Sequence, residues 1–387
     1  MLSKNQKLLA FSMLSSDASF SIGVFVVFML ALGLSLAQVS VVVAAYLISS
    51  ALFEIPAGVF ADRFGNKFSI LIGSILMSVG FGLFAFAQGF YWFLVGYSLM
   101  GAGSAMKNGA DVALLYSDLT SQSRASEFKK IYGSLQFKLN LFWVVASVSG
   151  GFLYVLNPRI PFLIEFALSI VTLLSVSFLS EKVDDSDSVT VIEHLKQSFR
   201  YAIGTPVFSK IFVFSALIGS VAVAAFQYLQ PLYLNLGIDP RYFGMIAAMT
   251  FVFRALGSLF ANQIGKWFSV DKYLVLHSLI FTLFLILFAK IKVGAIIFMI
   301  VACLYFLRGL YAPTITTFIN ERVTDSNRST MLSVNSQFLT IFSSLLLFLS
   351  GVVSERYDLS VVFFVLACLS NAFLILYVLS LRNVEAG

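Results

Sequence analysis

The sequence is poor in charge. Asp, Glu, Lys and Arg make up 11% of its 387 residues, whereas a soluble domain carries about 25%. It holds 2 histidines and 2 cysteines. Cys303 and Cys368 lie in apolar stretches with no His in ligand spacing, so neither a disulfide framework nor a metal site is expected. The sequence shows no Ser–His–Asp arrangement and no Walker loop. Hence no enzyme activity, no cofactor and no ATP drive are expected. What fills the space is apolar: 59% of the chain is hydrophobic, with 42 Phe. Water would not tolerate that outer surface; a lipid bilayer does.

A span needs roughly 20 apolar residues to cross about 30 Å of hydrocarbon. Twelve runs meet that length: 9–33, 38–61, 69–88, 91–115, 131–156, 160–180, 208–230, 241–263, 273–290, 293–318, 331–352 and 359–381. They are too long for barrel strands, so the expected class is an all-α polytopic membrane protein. Lys4 and Lys7 before an apolar run imitate a signal peptide, but the run has no small-residue cleavage site and reads as a retained first span.

The net charge of +6 is scattered over short loops, which points to membrane orientation and away from nucleic acid. With the N-terminus in the cytoplasm, most Lys and Arg fall on the cytoplasmic side. Arg159, Arg241, Lys290, Lys292 and Arg356 fall on the other, and Lys107, Lys138, Arg254 and Arg308 stay inside spans. Both termini are therefore expected inside, with an even number of spans. The polar stretch from Glu181 to Pro206 divides them six and six, giving halves 1–180 and 207–387 around a central loop at 181–206. Within it, Ile192, Leu195 and Phe199 recur at helical spacing, as in a short helix on the membrane surface. Phe60-Ala61-Asp62-Arg63-Phe64-Gly65 is partly repeated at Phe260-Ala261-Asn262-Gln263-Ile264-Gly265, and Ser134-Leu135-Gln136-Phe137 near Asn335-Ser336-Gln337-Phe338. Two short echoes at nearly one offset suggest a duplicated half.

The most specific string joins spans two and three: Gly58-Val59-Phe60-Ala61-Asp62-Arg63-Phe64-Gly65-Asn66-Lys67. Gly58 and Gly65 suit close helix approach and a tight reversal. Asp62 is placed to accept from Arg63 or from a helix N-terminus, and Lys67 to anchor span three at the headgroups. With Glu54-Ile55-Pro56-Ala57 before it, the string resembles the loop 2–3 signature of the major facilitator superfamily, Gly-x-Leu-Ala-Asp-Arg-x-Gly-Arg-Lys. Asn66 stands where the pattern has Arg. Ser149-Gly150-Gly151 resembles the end of the family's antiporter motif without its Pro. Tyr97, four residues before Gly101, stands where exporters often carry Arg. The resemblance implies two six-helix bundles working by alternating access around a central site.

Charges in hydrocarbon need a partner or a cavity. Asp17 lies about eight residues into span one, roughly 12 Å deep at 1.5 Å per residue. It reads either as a proton carrier or as a packing residue bonded to Ser15, Ser16 or Ser19. Glu54 reads as a support of the signature turn or a second carrier. Asp111 is a third carrier candidate, or forms an ion pair with Lys107 or Lys138, static or opening as a gate. Arg254 and Arg308 need partners, with Asp17 and Glu165 as candidates, or an anionic ligand. His277 reads as interfacial. Tyr46, Tyr97, Gln136, Trp143, Phe226, Gln227, Tyr228, Gln230, Tyr305 and Gln337 are candidates to line a substrate cavity.

The expected protein is a multi-pass transporter of the inner membrane, a monomer in the bilayer, whose partners are a small-molecule substrate and protons. Export of an amphipathic or drug-like compound is the leading expectation. Uptake or export of an anionic metabolite or siderophore is the alternative, and a non-transporting receptor or scaffold the reading from another class.

Overall fold

A computed structural model describes residues 3–181, 206–265, 269–322 and 328–385. The expected surface helix through Ile192, Leu195 and Phe199 lies outside the described residues. Among the described residues there is no strand. The helices in chain order are α1 (Lys4–Ser16), α2 (Phe25–Ala31), α3 (Leu36–Phe64), α4 (Asn66–Phe86), α5 (Phe90–Lys107), α6 (Ala110–Ser121), α7 (Phe128–Leu156) and α8 (Ile160–Ser177). Then follow α9 (Pro206–Gln227), α10 (Leu229–Asn235), α11 (Phe243–Gly265), α12 (Val270–Lys290), α13 (Gly294–Arg322), α14 (Arg328–Arg356) and α15 (Leu359–Glu385).

Among the described residues, ten of the spans are long and apolar enough to cross a bilayer as they stand. The two expected spans missing from those ten are the first, broken near its middle, and the fourth, broken in its last third. The first stops at Ser16 and resumes at Phe25; the fourth stops at Lys107 and resumes at Ala110. The seventh is interrupted at Tyr228, between α9 and α10. Large apolar side chains such as Leu156 (77% exposed) and Leu259 (75% exposed) stand free of the protein, as a lipid-facing surface requires.

Contacts between Cα atoms divide the chain into two compact units. One comprises Met1–Leu34, Ala45–Thr190 and Pro240–Ala248; the other comprises Ser35–Ala44, Val191–Asp239 and Met249–Gly387. In the first unit, α1, α6, α7 and the end of α8 share a core of Leu9, Met13, Leu114, Leu119, Leu135 and Val176. In the second, α9, α12, α13 and α15 share one built on Phe212, Ile218, Leu274, Phe318 and Tyr377. A Cβ on Gly257 would run into the Phe306 carbonyl, and one on Gly309 into the Arg254 carbonyl. Only glycine lets α11 and α13 cross that closely, by the small-residue packing common between membrane helices.

The signature string is mostly helix. α3 runs through Asp62 and Arg63 to Phe64, and α4 begins at Asn66. The reversal rests on Gly65 alone, whose φ of 92° suits glycine. The expected part for Gly58 is corrected: it lies inside α3 and nothing stands within 4 Å of a Cβ placed there. The partly repeated string ending at Gly265 likewise closes α11.

Candidate functional site

The break in the first span follows from its residues. Asp17-Ala18-Ser19-Phe20-Ser21-Ile22-Gly23-Val24 alternates side chains that compete for backbone hydrogen bonds with a glycine that favours no helix. The backbone polar groups it frees must be met inside the protein at this depth. Glu165 of α8 meets one: its Oε1 accepts the Ser21 N–H at 2.7 Å. The Phe20 amide and the Ser21 hydroxyl lie close to the same carboxylate. The segment is pinned from the other side by α7, where a Cβ on Gly150 would strike the Phe20 carbonyl. The antiporter-like Gly150 thus makes room for an unwound strand of chain.

Glu165 is 3% exposed and its Oε2 has no hydrogen-bond partner. It lines a cavity of about 10 Å³ together with Ser15, Ser16, Lys107, Ser169 and Thr172. That is the scale of a single water. Ser15 Oγ and Thr172 Oγ1 lie 2.7 Å apart on its wall. The Ser16 hydroxyl is shared between the Met13 carbonyl at 3.1 Å and Asp17 Oδ1 at 3.2 Å, and Asp17 itself is exposed.

The break in the fourth span falls at Asn108-Gly109, where Gly109 takes φ 85°. Lys107 ends α5, buried, its stem packed across Gly73 of α4. Asp111 sits in the first turn of α6 and its Oδ1 accepts the Val112 N–H at 2.9 Å. Among the described residues no ion pair joins Lys107, Asp111 and Lys138, and Lys138 is exposed on α7. The expected static pair is therefore absent from this conformation. Tyr46 and Tyr97 do come together, with ring centroids 4.6 Å apart, and Phe25 lies tilted against Tyr97 at 4.6 Å. Gln136 and Trp143 are half-buried on α7, and Glu54 is half-buried on α3.

In the second unit, the Gly257–Gly309 crossing brings Arg254 and Arg308 into one neighbourhood. The Arg308 guanidinium lies 4.8 Å from the Phe226 ring centre, and Phe226 stacks on Tyr305 at 4.6 Å. The Tyr305 hydroxyl bonds Thr250. Gln227, which follows Phe226 in the chain, holds a buried Nε2 with no partner. Arg254 is exposed, with its guanidinium 6.0 Å from the Phe251 ring. Tyr228 is different: it is fully buried and its hydroxyl is engaged by Ser40 at 3.1 Å and Ser350 at 3.0 Å. Gln337 is half-buried on α14. The interfacial reading of His277 is corrected. It is 5% exposed, stacked on Phe281 and flanked by Tyr273 and Tyr311, and its Nδ1 has no partner.

The chain matches the model of the Major Facilitator Superfamily over residues 8–235 and 228–386. It belongs to that superfamily. Among curated relatives, it is 25% identical over 363 residues to an uncharacterised transporter of this type, YxaM of Bacillus subtilis, covering 88% of this chain and 86% of that one. It is 24% identical over 308 residues to the quinolone resistance protein NorA of Staphylococcus aureus, covering 78% and 76%. Over 187 residues it is 29% identical to the class B tetracycline resistance protein of Escherichia coli, covering 47% and 45%. Of solved structures, the nucleoside transporter NupG superposes with a TM-score of 0.77 at 14% identity, over 98% of this chain and 100% of that one. At that identity the likeness is one of fold.

As a member of the superfamily the chain departs from the signature pattern at Asn66, and the structure shows what takes over. Glu181, just beyond α8, accepts the Asn66 N–H at 3.0 Å, the Asn66 side-chain amide at 3.0 Å and the Lys67 N–H at 2.6 Å. The N-terminus of α4 is thus capped by Glu181, while Asp62 and Arg63 are exposed and Arg63 lies over the Phe64 ring. Glu165 and Glu181 are the two residues whose roles sequence reasoning missed. The signal for Glu165 was a carboxylate in the apolar run of span six; for Glu181, an acid directly at the end of that span.

Proposed function

We propose that this chain exports an amphipathic small molecule in exchange for protons, by alternating access of the halves 1–180 and 207–387 around residues 181–206. The observation that supports it most directly is the broken first span, which carries Asp17 on unwound, polar backbone. Discontinuous helices are where transporters place coupling-ion and substrate groups. The names of the quinolone and tetracycline resistance relatives favour export of drug-like compounds. The protein acts as a monomer in the inner membrane with both termini in the cytoplasm, as the Lys and Arg distribution favours. Asp17 is the first proton-carrying residue, with Glu54 and Asp111 behind it.

The substrate side is the Phe226–Tyr305–Arg308 stack, with Arg254 and Gln227 beside it. A planar apolar body suits the rings and an anionic or strongly polar group suits the guanidinium. That same pair of arginines favours the second reading, transport of an anionic metabolite.

The test is flux into proteoliposomes under an imposed pH gradient. Asp17→Asn is expected to abolish gradient-driven accumulation while leaving binding intact. Undiminished accumulation in that variant overturns the role of Asp17. Flux indifferent to the gradient in the unmodified protein overturns proton coupling.

A further inference from the structure

We infer that Glu165 is a second, buried proton site, filled from Asp17 through Ser16 and one water held in the cavity behind the broken first span. This rests on the reading of Asp17 as the proton-carrying residue, and it adds where the proton goes next.

The groups form a continuous line. Asp17 is exposed, and its Oδ1 takes the Ser16 hydroxyl at 3.2 Å. Ser16 and Glu165 both line the cavity. The cavity has room, about 10 Å³, for one water and little else. In the transfer the protonated Asp17 carboxyl gives its hydrogen to Ser16 Oγ, the Ser16 hydrogen turns from the Met13 carbonyl to the water, and the water gives one of its own to Glu165 Oε2; one carboxyl loses a proton, the other gains one, and Ser16 and the water end unchanged.

Glu165 is built to exist in both forms. As carboxylate, it keeps the Ser21 amide on Oε1 at 2.7 Å and offers Oε2 to the cavity water. As acid, it becomes a donor, and the Ser169 hydroxyl, whose own hydrogen is given to the Phe166 carbonyl at 2.7 Å, is an acceptor on the same wall. An Oε2 buried without a partner is costly to leave permanently in either form. The ionisable groups around the site are Asp17 on the unwound segment, Lys107 at the end of α5, Asp111 at the start of α6 and Tyr97 on α5; α4 contributes only Ser74, Met77 and Phe81.

The consequence for transport is mechanical. The charged carboxylate is the stronger acceptor for the Ser21 amide, so protonation loosens the hold of α8 on residues 17–24. The state of a buried proton is thereby linked to the shape of the first span.

The experiment is infrared difference spectroscopy on the purified full-length protein in nanodiscs, stepped from high to low pH. A buried carboxylic acid gives a carbonyl band that shifts in D2O. The unmodified protein is expected to gain this band, Glu165→Gln to lose it, and Ser16→Ala to slow its rise by about a hundredfold, since a positioned proton-transfer group has been removed. Glu165→Asp, which keeps the acid, should restore a displaced band and so guards against misfolding as the cause of loss. A band unchanged in Glu165→Gln, or a rise unaffected by Ser16→Ala, overturns the inference even where Asp17→Asn stops transport. A Glu165 band present in a protein whose flux ignores the pH gradient leaves the site standing and overturns proton coupling instead.

Discussion

Glu181 Oε2 accepts the backbone N–H of Lys67 at 2.6 Å across 114 residues of chain, while Glu181 Oε1 takes both amides of Asn66. The first turn of a helix leaves its N–H groups unsatisfied, and a carboxylate there meets the bonds and the dipole together. The signature turn and the exit of the sixth span are therefore one joint. Asn66, which departs from the family pattern, is what allows a side-chain bond to this acid in addition to the two backbone ones.

Glu181→Ala is expected to destabilise the protein by about 0.5–2 kcal/mol, the usual range for losing a helix cap. A lower thermal unfolding midpoint in detergent checks it. Asn66→Arg, which restores the family residue, should keep the backbone bonds and lose little. If Glu181→Ala unfolds at the temperature of the unmodified protein, the cap contributes nothing to stability.

His277 offers the opposite case, a polar atom that nothing rewards. It stacks flat on Phe281 with ring centres 6.1 Å apart and buries Nδ1 without a partner. An unsatisfied buried group carries a desolvation penalty of about 1–3 kcal/mol. His277→Phe keeps a flat ring against Phe281 and removes the penalty, so it is expected to raise the unfolding midpoint with flux unchanged. A clear loss of stability would mean that His277 holds a group in some other conformation of the transport cycle.

The twelve spans were legible because length and apolarity are properties of single segments, and a bilayer selects on both. The breaks were not. Residues 17–24 include Ala18, Phe20, Ile22 and Val24, enough apolar character to hide inside a long hydrophobic run. Asn108-Gly109 is a turn pair by its chemistry, yet it is flanked by residues that read as span. Contacts across the fold were the other blind spot. Nothing local to Asn66 points to Glu181, and counting residues along span nine put His277 near the surface because depth along a helix says nothing of what packs around it. Pairing was misjudged for the same reason. Lys107 and Asp111 are one turn apart on an uninterrupted helix, but Gly109 with φ 85° lies between them and ends that register. Tyr46 with Tyr97, and Arg308 with Phe226, came together where glycine contacts let helices close up.

In the proposed function, cargo selection turns on Arg308. Its guanidinium lies over Phe226, which in turn stacks on Tyr305. A guanidinium beside a ring can still present its planar fork of N–H donors to a carboxylate, a geometry that lysine lacks. Cation–π contact contributes about 0.5–2 kcal/mol, and a charge-assisted bond to an anionic ligand adds to it. A matched pair of flat probes, one carrying a carboxylate and the other its neutral amide, reads this directly in a binding assay. The unmodified protein should prefer the acid. Arg308→Gln should erase that preference while binding the amide about as well, and Arg308→Lys should keep the preference in weakened form, having the charge without the planar fork. Phe226→Leu should weaken both probes by about tenfold, since each loses the ring face. A preference for the acid that survives Arg308→Gln would assign anion recognition to Arg254 or to no residue of this stack.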